Sequence, residues 1–419
     1  MTGIPAEELF APATLTEPGP FYERLRATGP VCALLGSGAF YVNGHAAVEE
    51  AVRRHEVFSA KLTGVLLRDG AGKASLFDFA GAGTASDVIA TADEPEHAVQ
   101  RRLLMPPMKA ARVAQMEAPI RAFAAERIAR FVARGGGDWC DAVGEPVPAF
   151  VVTQLLGLPP DALDLVRRWA MMGGDMLGGL IDGAGMQRLL VETGRMSAYL
   201  GDHLAAAQTL APEARDGSLT ATLATGIAEG LISREQAIGI LVILFGAAGE
   251  STAALLGCAL HLMLRTPGLQ ARLRAEPALI DAFVEETIRL ETPFKFHYRV
   301  VKEDTTLCGT PLRAGERLLL GWAAANRDPA VFDAPLDVRL DRPQPQRHLG
   351  FGHGIHFCIG APIARMEARI TLEELLRRTR WLSADQEAPA AFVPSIFIRR
   401  LHTLPLRCEA LRGPSAEGL

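Results

Sequence analysis

The stretch from Ala237 to Leu264, AIGILVILFGAAGESTAALLGCALHLML, constrains the fold of this chain more than any other. It is 28 residues long, and Glu250 is its only Asp, Glu, Lys or Arg. Its length would allow it to span a bilayer. A carboxylate at its centre and ordinary soluble sequence on both sides instead favour a long helix that is apolar all round because it crosses the middle of a large helical domain. A carboxylate buried there needs an explanation, because an unpaired buried charge is costly.

Composition and charge exclude several classes of protein. Hydrophobic residues make up 49% of the 419 residues and charged residues 22%, which is typical of a folded protein and not of a disordered chain. The net charge of -5 and the absence of a basic run argue against a nucleic-acid partner. The N-terminus has neither a basic start nor an apolar core, and the six cysteines form no CxxC pair. We therefore predict a cytoplasmic protein with no membrane anchor.

Helical periodicity dominates the chain. Segments such as 116–135 and 277–290 carry apolar residues three and four positions apart, which predicts a mainly α fold. Short strand-like runs near the N-terminus and in the C-terminal third predict small β-sheets there. Because there is no linker and no repeat, we predict a single domain over residues 1–419. Its expected parts are an N-terminal β-rich part at about 1–60, a helical part at about 90–300 and a functional loop at 350–361.

Residues 350–361, GFGHGIHFCIGA, form the most specific local pattern. Gly352, Gly354 and Gly360 allow positive φ and close backbone approach, so this loop can present the Cys358 thiol to a bulky group. A helix with Pro362 in its first turn follows, and a helix N-terminus stabilises a thiolate. These features favour Cys358 as the axial ligand of a large metal cofactor.

Three other interpretations of this loop stay open on the residues alone. His353, His356 and Cys358 could bind zinc, although three ligands within six residues are crowded for that metal. Cys358 could be a nucleophile with His356 as its base, although nothing supplies a third, orienting group. The loop could also be a purely structural turn with an incidental cysteine.

The spacing Phe351-Gly-x-Gly-x-His356-x-Cys358-x-Gly360 resembles the haem-thiolate signature of the cytochromes P450. The resemblance implies the mainly α P450 fold and one haem b, with Cys358 as the iron ligand and Phe351, Gly352 and Gly360 around the cofactor. It implies a monooxygenase that inserts one oxygen atom of O2 into a small-molecule substrate. The electrons would come from NAD(P)H through a ferredoxin and a ferredoxin reductase in trans.

Two further groups of residues match the family in the right order along the chain. Glu286 and Arg289 resemble its ExxR pair, and Arg342 stands where a later arginine completes a buried ion-pair network behind the haem. The resemblance implies a structural role for the three, since removing one partner strands a buried charge. The haem propionates need cationic or hydrogen-bonding partners. The residues that the resemblance assigns to them are His97, Arg101, Arg299 and His356.

The carboxylate in the central apolar stretch also finds an explanation. Residues 247–252, AAGEST, resemble the family's acid-alcohol motif, which implies that Glu250 relays protons from solvent and that a neighbouring hydroxyl assists the oxygen chemistry. Gly246 and the glycine within this run would let the helix open locally beside the haem. Threonine is common where this chain has Ser251, so Ser251 and Thr252 both stay candidates for the catalytic hydroxyl.

The resemblance places a mostly apolar substrate pocket beside the haem, which favours an apolar small molecule. Lys295 and His297 are unusual there. In a strand they would share a face with Arg299, so His297 could add a propionate contact while Lys295 extends outward to solvent. Alternatively, Lys295 anchors an anionic group of the substrate. The predicted pocket residues are Val242, Phe245, Gly246, Phe294, Lys295, His297 and Phe397.

The expected electron donor predicts a docking surface on the proximal side of the haem. An acidic ferredoxin would be attracted by a basic patch, and salt would weaken that complex. The basic residues that could form the patch are Arg101, Arg102, Lys109, Arg347, Arg365 and Arg369.

Two alternative functions stay open. One is a haem-thiolate enzyme that couples rings, rearranges a peroxide or uses H2O2 directly, which the serine in the acid-alcohol motif makes less remote. The other is a non-catalytic haem binder that acts as a sensor or carrier, against which the apolar pocket and Glu250 argue.

Overall fold

The computed structural model describes residues 3–79, 87–211, 214 and 216–411. Helices account for 54% of the protein, so the prediction of a mainly α fold is confirmed. The α-helices in these residues are α1 Pro12–Thr16, α2 Gly19–Thr28, α3 His45–Arg53, α4 Glu96–Leu104, α5 Ala110–Ala133, α6 Pro146–Leu156, α7 Leu163–Ala170, α8 Gly183–Thr209, α9 Leu219–Ala228, α10 Arg234–Leu244, α11 Ser251–Arg265, α12 Leu269–Ala275, α13 Ile280–Leu290, α14 Trp322–Ala325 and α15 Ala361–Arg378.

The strands form small sheets, as predicted, and one of them joins strands from the first 60 residues to two strands between residues 297 and 320. Its order is β1-β2-β3-β11-β8-β4, with β11 parallel to β3 and antiparallel to β8. A second sheet has the order β12-β15-β7, and the remaining strands pair in twos. The strands are β1 Gly3–Pro5, β2 Val31–Leu35, β3 Ala39–Val42, β4 Phe58–Ser59, β5 Gly64–Arg68, β6 Ala74–Asp78, β7 Gly136–Asp138, β8 His297–Val301, β9 Thr305–Leu307, β10 Thr310–Leu312, β11 Arg317–Leu320, β12 Thr379–Ala384, β13 Ala391–Phe392, β14 Leu401–Thr403 and β15 Pro405–Ala410.

The N-terminal part at about 1–60, which we expected to be β-rich, contains more helix than strand. α2 buries Phe21 and Leu25, and α3 buries Val48 and Val52, in both cases with the spacing of one helical face. These helices are short, so their apolar stripes hold too few residues for the periodicity to stand out from the adjoining strands.

The central apolar stretch forms one continuous helix over Arg234–Arg265, built from α10, a widened π-helical segment Phe245–Glu250, and α11. Ser233 caps its N-terminus by accepting from the backbone N–H of Gln236. The helix is long and apolar enough to cross a membrane by length and composition, and half of its most apolar window is buried inside the protein. Most of α11 lies in the core, as the sequence predicts for a helix that crosses the domain.

The Cys358 loop, residues 350–361, leads into α15, and α15 packs against α5 and α13. The N-terminus of α15 therefore faces inward beneath the central helix. Since helix packing fixes the positions of α13 and α15, the loop between the sheet and α15 is anchored at its C-terminal end by the helical core. This arrangement sets up the cavity described next.

Candidate active site

An internal cavity of about 240 Å³ lies between the central helix and the Cys358 loop. α4, α6, β8 and the segment that precedes β8 complete its walls. Most of the predicted site residues meet in this space although they are far apart in sequence. The predicted residues that line it are His97, Arg101, Ser251, Thr252, Phe294, His297, Arg299, Phe351, Gly352, His356, Cys358 and Gly360.

The Cys358 loop is a tight turn that closes on itself through its backbone. The N–H of Cys358 donates to the carbonyl oxygen of Phe351 at 2.9 Å. Gly352 and Gly354 have φ of 71° and 70°, as predicted, and this left-handed conformation favours glycine. The expectation for Gly360 is wrong: its φ is -85°, because it is already the N-cap residue of α15.

Burial governs the Cys358 thiol. Burial raises its pKa above the ordinary value of 9.0, while the backbone N–H groups of Gly360 and Ala361 and the guanidinium groups of Arg101 and Arg365 lower it. The predicted stabilisation by the helix N-terminus is therefore present as two N–H donors, but it is smaller than the cost of removing the thiolate from water.

The four residues assigned to the propionates line one cavity. The rings of His97 and His356 lie against each other with centroids 4.2 Å apart. Burial and, to a smaller extent, the positive charge of Arg299 together lower the pKa of His356 to about 3. Burial also lowers the pKa of Arg299 to about 10. Cationic and donor groups are therefore concentrated in a place where their charge is expensive, which indicates a missing anionic partner.

His97 gives the clearest sign of that partner. Its Nδ1 donates to the carboxylate of Glu94 at 3.1 Å, while its Nε2 is buried and finds no hydrogen-bond partner among the described residues. With Nδ1 already donating, Nε2 donates to a carboxylate in the positively charged, imidazolium form of the ring, which an anion placed there would favour. His297 is similar: its Nδ1 accepts from the indole N–H of Trp322 at 2.7 Å, so its other nitrogen carries the proton in the neutral ring. Unpaired donors in a cavity with Arg101 and Arg299 fit the two carboxylates of the haem that the motif implies.

The residues of the central helix that line the cavity differ from those that we predicted. The lining residues repeat every four positions, because the π-helical segment widens the turn beyond 3.6 residues. Val242, Phe245 and Gly246 consequently fall outside the lining. Phe245 is buried against Trp169, and Gly246 packs on Gly173, so closely that a Cβ would not fit. The residues that do line the cavity from this helix are Ile243, Leu244, Ala247, Ala248, Ser251, Thr252 and Leu255.

The two hydroxyls of the acid-alcohol motif both face the cavity. Ser251 Oγ donates to the carbonyl oxygen of Ala247 at 2.5 Å, one turn earlier. The side-chain hydroxyl of Thr252 makes no hydrogen bond with another described residue. The local opening expected of this helix is therefore present as the π-helical segment, and it ends directly before Ser251.

Glu250 lies on the other side of the helix, beside a second cavity of about 560 Å³. Its Oε1 accepts from Nε of Arg400 at 3.2 Å, while its Oε2 is buried and has no partner in the described part of the chain. Burial raises its pKa to about 7, against the lowering effect of Arg400. Asp175 lines the same cavity. Glu250 can therefore hold or release a proton near neutral pH.

Two other pocket predictions need correction. Lys295 lines neither cavity and is only 4% exposed, so it does not extend to solvent. Its ammonium donates to the carbonyl oxygen of Ser395 at 2.5 Å, and its backbone N–H to that of Phe397, because segments 294–296 and 396–398 run side by side. Burial lowers the pKa of Lys295 to about 7. Phe397 is stacked behind Phe294, which takes the place at the cavity wall.

Glu286 and Arg289 are fully buried and form one ion-pair network with Arg342, whose side chain is 7% exposed. Arg289 donates to Glu286 through Nε and Nη2, at 2.7 and 2.9 Å, and Arg342 Nε donates to the same carboxylate at 2.9 Å. Arg289 also donates to the carbonyl oxygens of Asn326, Pro335 and Asp337. The three charges therefore tie α13 to the chain segment that leads into the Cys358 loop.

The structure adds residues that the sequence analysis missed. Glu285 bonds to both His348 and Arg365, and Asn326 accepts from the backbone N–H of Leu349 at the start of the loop. The sequence carried no signal for Glu285, because a glutamate beside the motif residue Glu286 is equally compatible with a solvated helix face, and only the structure shows that both are buried. Glu367 lines the cavity as a fully buried acid, and burial raises its pKa well above the ordinary value.

The alternatives for the Cys358 loop find little support. Within the described residues, no group of three His, Cys, Asp or Glu side chains is placed to hold a metal ion, which argues against zinc. The low pKa of His356, caused by burial, makes it a poor base for a nucleophilic cysteine. A purely structural loop would not need unpaired donors around a cavity.

Comparison with known proteins agrees with this geometry. The family model for cytochrome P450 matches residues 209–400. The chain is 41% identical over 406 residues to Cytochrome P450 144 of Mycobacterium tuberculosis, covering 96% of this chain and 92% of that protein. It is 29% identical over 390 residues to the steroid C26-monooxygenase of Mycolicibacterium smegmatis, covering 92% and 91%. The crystal structure of CYP108D1 from Novosphingobium aromaticivorans matches with a TM-score of 0.83 at 26% identity, covering 98% of this chain and 100% of that one.

These similarities extend over nearly the whole chain. The chain belongs to the cytochrome P450 family, and like its relatives it is a monooxygenase that uses haem b.

Proposed function

We propose that this chain, as a single domain of residues 1–419 in the cytoplasm, oxidises a small, mostly apolar organic molecule with electrons from a separate ferredoxin and its NAD(P)H-dependent reductase. The observation that carries the proposal is the cavity: its walls are largely apolar, and one thiol, two hydroxyls and several cationic groups meet in it. When bound, haem supplies the iron centre at which two electrons and O2 give an oxidant for the substrate.

We propose three roles for the cavity residues: iron ligand, partners of the haem propionates, and residues that shape the Cys358 loop. We assign Cys358 as the iron ligand and His97, Arg101, Arg299 and His356 as donors to the propionates, as a set that the unpaired Nε2 of His97 supports. His297 is a candidate fifth donor, oriented by Trp322. Phe351, Gly352 and Gly360 shape the loop that carries the ligand.

The second cavity offers a route for protons. Glu250 is at its inner end, and the side chain of Asp175 lies in its lining nearer to solvent. The Glu250 carboxyl takes up a proton from this second cavity. It passes the proton past the π-helical segment to the hydroxyls of Ser251 and Thr252, which face the first cavity. Ser251 is the better candidate of the two, because its bond to Ala247 fixes the hydroxyl and leaves the oxygen lone pairs free to accept.

Glu250→Gln should lower coupled product formation by about 100-fold or more, the scale of a lost general acid. The amide is nearly isosteric but cannot exchange a proton, so consumption of NAD(P)H should continue and be diverted to peroxide or water. The measurement is the ratio of product to NAD(P)H consumed, with the solvent isotope effect on turnover. Glu145→Gln is the control, because Glu145 also pairs with Arg400, at 3.4 Å, but lies outside both cavities. Equal ratios for the two variants would contradict the relay.

The substrate class follows from the residues that line the cavity near the hydroxyls of Ser251 and Thr252. Phe294 and Ile243 are apolar, and Pro293 and Leu244 continue the same surface. Apolar walls with few polar groups favour a hydrophobic substrate whose orientation is set by shape. The named activity of the steroid C26-monooxygenase belongs to the same broad class of apolar substrates and supports this choice.

The test of the proposed function combines two measurements on purified protein. The reduced, CO-bound absorption spectrum should have the Soret band of thiolate-ligated haem, and apolar compounds that bind should shift the spin state of the resting protein. Turnover of such a compound should require O2 and reductant. Activity with peroxide alone would favour the coupling or peroxide alternative, and spin-state shifts without any turnover would favour a haem binder.

The docking surface for the electron donor is narrower than the sequence indicated. Arg365 is engaged by Glu285, Arg369 by Glu117 and Glu373, and Arg101 lines the cavity. Arg102, Lys109 and Arg347 are exposed and form no ion pair within the described residues, and Phe357 beside the ligand is 40% exposed. An apolar centre with a basic rim fits a small acidic redox protein.

Lys109→Glu should raise the KM for an acidic ferredoxin about tenfold at low salt and leave the spin-state titration with substrate unchanged. The charge reversal replaces attraction by repulsion, and the effect should shrink as salt screens it. Lys73→Glu, on the exposed turn between β5 and β6, is the matched control. A KM that is equally affected by both variants, or by neither, would place the docking surface elsewhere.

A further inference from the structure

One carboxylate outside the cavity contacts both ends of the Cys358 loop. Glu285 on α13 is 5% exposed. Its Oε1 accepts from Arg365 Nε at 2.6 Å, and its Oε2 accepts from Arg365 Nη2 at 3.0 Å and from His348 Nε2 at 2.9 Å. His348 enters the loop, and Arg365 is in the second turn of α15, beyond Cys358. Glu285 therefore accepts three hydrogen bonds from two residues that flank the ligand, with at least one bond on each carboxylate oxygen.

The protonation pattern of His348 makes this contact directional. Its Nδ1 accepts from the backbone N–H of Gly350 at 3.2 Å, so Nε2 carries the proton that is donated to Glu285. The imidazole is thereby fixed between α13 and the first turn of the loop. Gly350 itself packs on α13 so closely that a Cβ would lie 2.4 Å from Ile288.

Arg365 connects the same carboxylate to the middle of the loop. Its guanidinium carbon lies 4.5 Å from the ring centroid of Phe351, a distance typical of a cation-π contact. The carbonyl oxygen of Phe351 in turn accepts from the N–H of Cys358. A short chain of contacts therefore runs from Glu285 through Arg365 and Phe351 to the backbone of the ligand residue.

Charge and burial indicate that this arrangement is tightly held. Burial would raise the pKa of Glu285, but the bonds from His348 and Arg365 outweigh it and keep the pKa below its ordinary value of 4.5. The side chains of Glu285 and Arg365 are 7% and 23% exposed, and the pair is bidentate, so solvent screening and side-chain motion weaken it little. A bond of this kind transmits a displacement of α13 directly to α15.

We propose that Glu285, His348 and Arg365 act as a clamp that positions Cys358 for iron ligation, with Glu285 as the positioning residue common to both ends of the loop. The inference rests on the proposed role of Cys358 as the ligand. It differs from the role of Glu286, the next residue along α13, which bonds to Arg289 and Arg342 and ties down the segment before the loop. Two adjacent glutamates on one helix thus fix two different segments.

The test measures how readily the ligand is lost. The ferrous carbonyl complex has distinct Soret bands with a thiolate ligand and without one, so the fraction in the thiolate form can be followed across a urea series that stays below unfolding. We call the fraction of the protein that has lost the thiolate-type band the converted fraction. Glu285→Gln and Arg365→Gln should each raise this fraction at least about tenfold over wild type. The double variant should not exceed Glu285→Gln, because that change already releases both His348 and Arg365 and the second substitution removes no further contact with Glu285.

The matched control is Arg369→Gln. Arg369 is one turn farther along α15, pairs with Glu117 and Glu373 and is similarly exposed, at 25%, but does not contact the loop. Its variant should stay within about twofold of wild type in the converted fraction. Arg365→Lys keeps the positive charge near Cys358 but cannot form the bidentate bond to Glu285. Its converted fraction should therefore stay close to that of Arg365→Gln. Far-UV circular dichroism should place the loss of thiolate at lower urea than unfolding in the clamp variants.

Each outcome separates the clamp from the proposed function. A wild-type protein without the thiolate-type band would refute the role of Cys358. A normal wild type in which Arg365→Gln behaves like Arg369→Gln would refute the clamp alone. Full rescue by Arg365→Lys, or additive effects of the two Gln variants, would also refute it, because charge or separate contacts would then suffice. A readout without bound haem is hydrogen exchange of residues 349–360, which should be faster in Glu285→Gln than in Arg369→Gln.

Discussion

Cys358→Ser should abolish the thiolate-type Soret band of the reduced, CO-bound protein and lower oxygen-dependent turnover by more than about 100-fold, the upper end for a change that only touches a metal ligand from outside. The physical reason is chemical: a serine hydroxyl stays protonated at neutral pH and donates far less electron density to iron than a thiolate does. Haem can still bind through the propionate donors, so the variant should be red but inactive.

The control for this experiment is Cys308→Ser. Cys308 is an exposed free cysteine whose Sγ lies 3.3 Å from the carboxylate of Glu50, on the β9–β10 hairpin. Its variant should keep both the band and the activity. A Cys358→Ser protein that retained the thiolate-type band would show that another of the cysteines is the ligand, and the cavity residues would then need a different explanation.

Motif spacing predicted the site better than it predicted the pocket. The residues around Cys358 are close in sequence, and backbone geometry alone brings Phe351, Gly352 and Cys358 together. The propionate set came from matched positions along the chain, and these side chains meet because α4, β8 and the loop pack around one cavity. For such residues, the order in which the family's motifs follow one another along the chain indicates which side chains meet in the folded protein.

The pocket predictions failed where the local backbone departs from a regular helix or strand. A regular turn would carry Val242, Phe245 and Gly246 toward the cavity, but the π-helical segment rotates the face by part of a turn, and neighbouring residues take their place. Lys295 precedes β8 and pairs with a separate chain segment, so strand alternation does not apply to it. Neither departure has a signature in the apolar pattern.

Charge pairs were the least predictable part. Glu286 and Arg289 could be matched to a known motif, whereas Glu285 and Arg365 are separated by most of the C-terminal third and meet only because α13 packs on α15. The same packing uses Arg365 and Arg369 internally and removes them from the docking patch that their basic character indicated. Composition counts charges, but only the fold decides which of them are neutralised.

Arg289→Ala should be the most destabilising single change in the network behind the site, with a loss of about 3–5 kcal/mol in the free energy of unfolding. Arg289 is fully buried and donates to Glu286 and to three backbone carbonyl groups. Its removal takes a donor from the buried carbonyl group of Asn326 and from that of Pro335, and it leaves Glu286 with Arg342 Nε and the backbone N–H of Arg339 as its donors. We expect protein that is made but holds little haem, measured by the haem-to-protein ratio and by urea unfolding.

The contrast with Arg339→Ala decides whether burial is the cause. Arg339 belongs to the same segment, and its side chain pairs with Asp333 and Asp341 at 2.7 and 3.3 Å, but it is 35% exposed and its partners are exposed as well. Water replaces the lost bonds there, so the loss of stability should be only a small fraction of the loss in Arg289→Ala. If the two variants lost similar stability, the network would be an ordinary set of surface pairs. A large cost confined to Arg289 means that the ExxR charges hold the Cys358 loop in place because they are cut off from solvent.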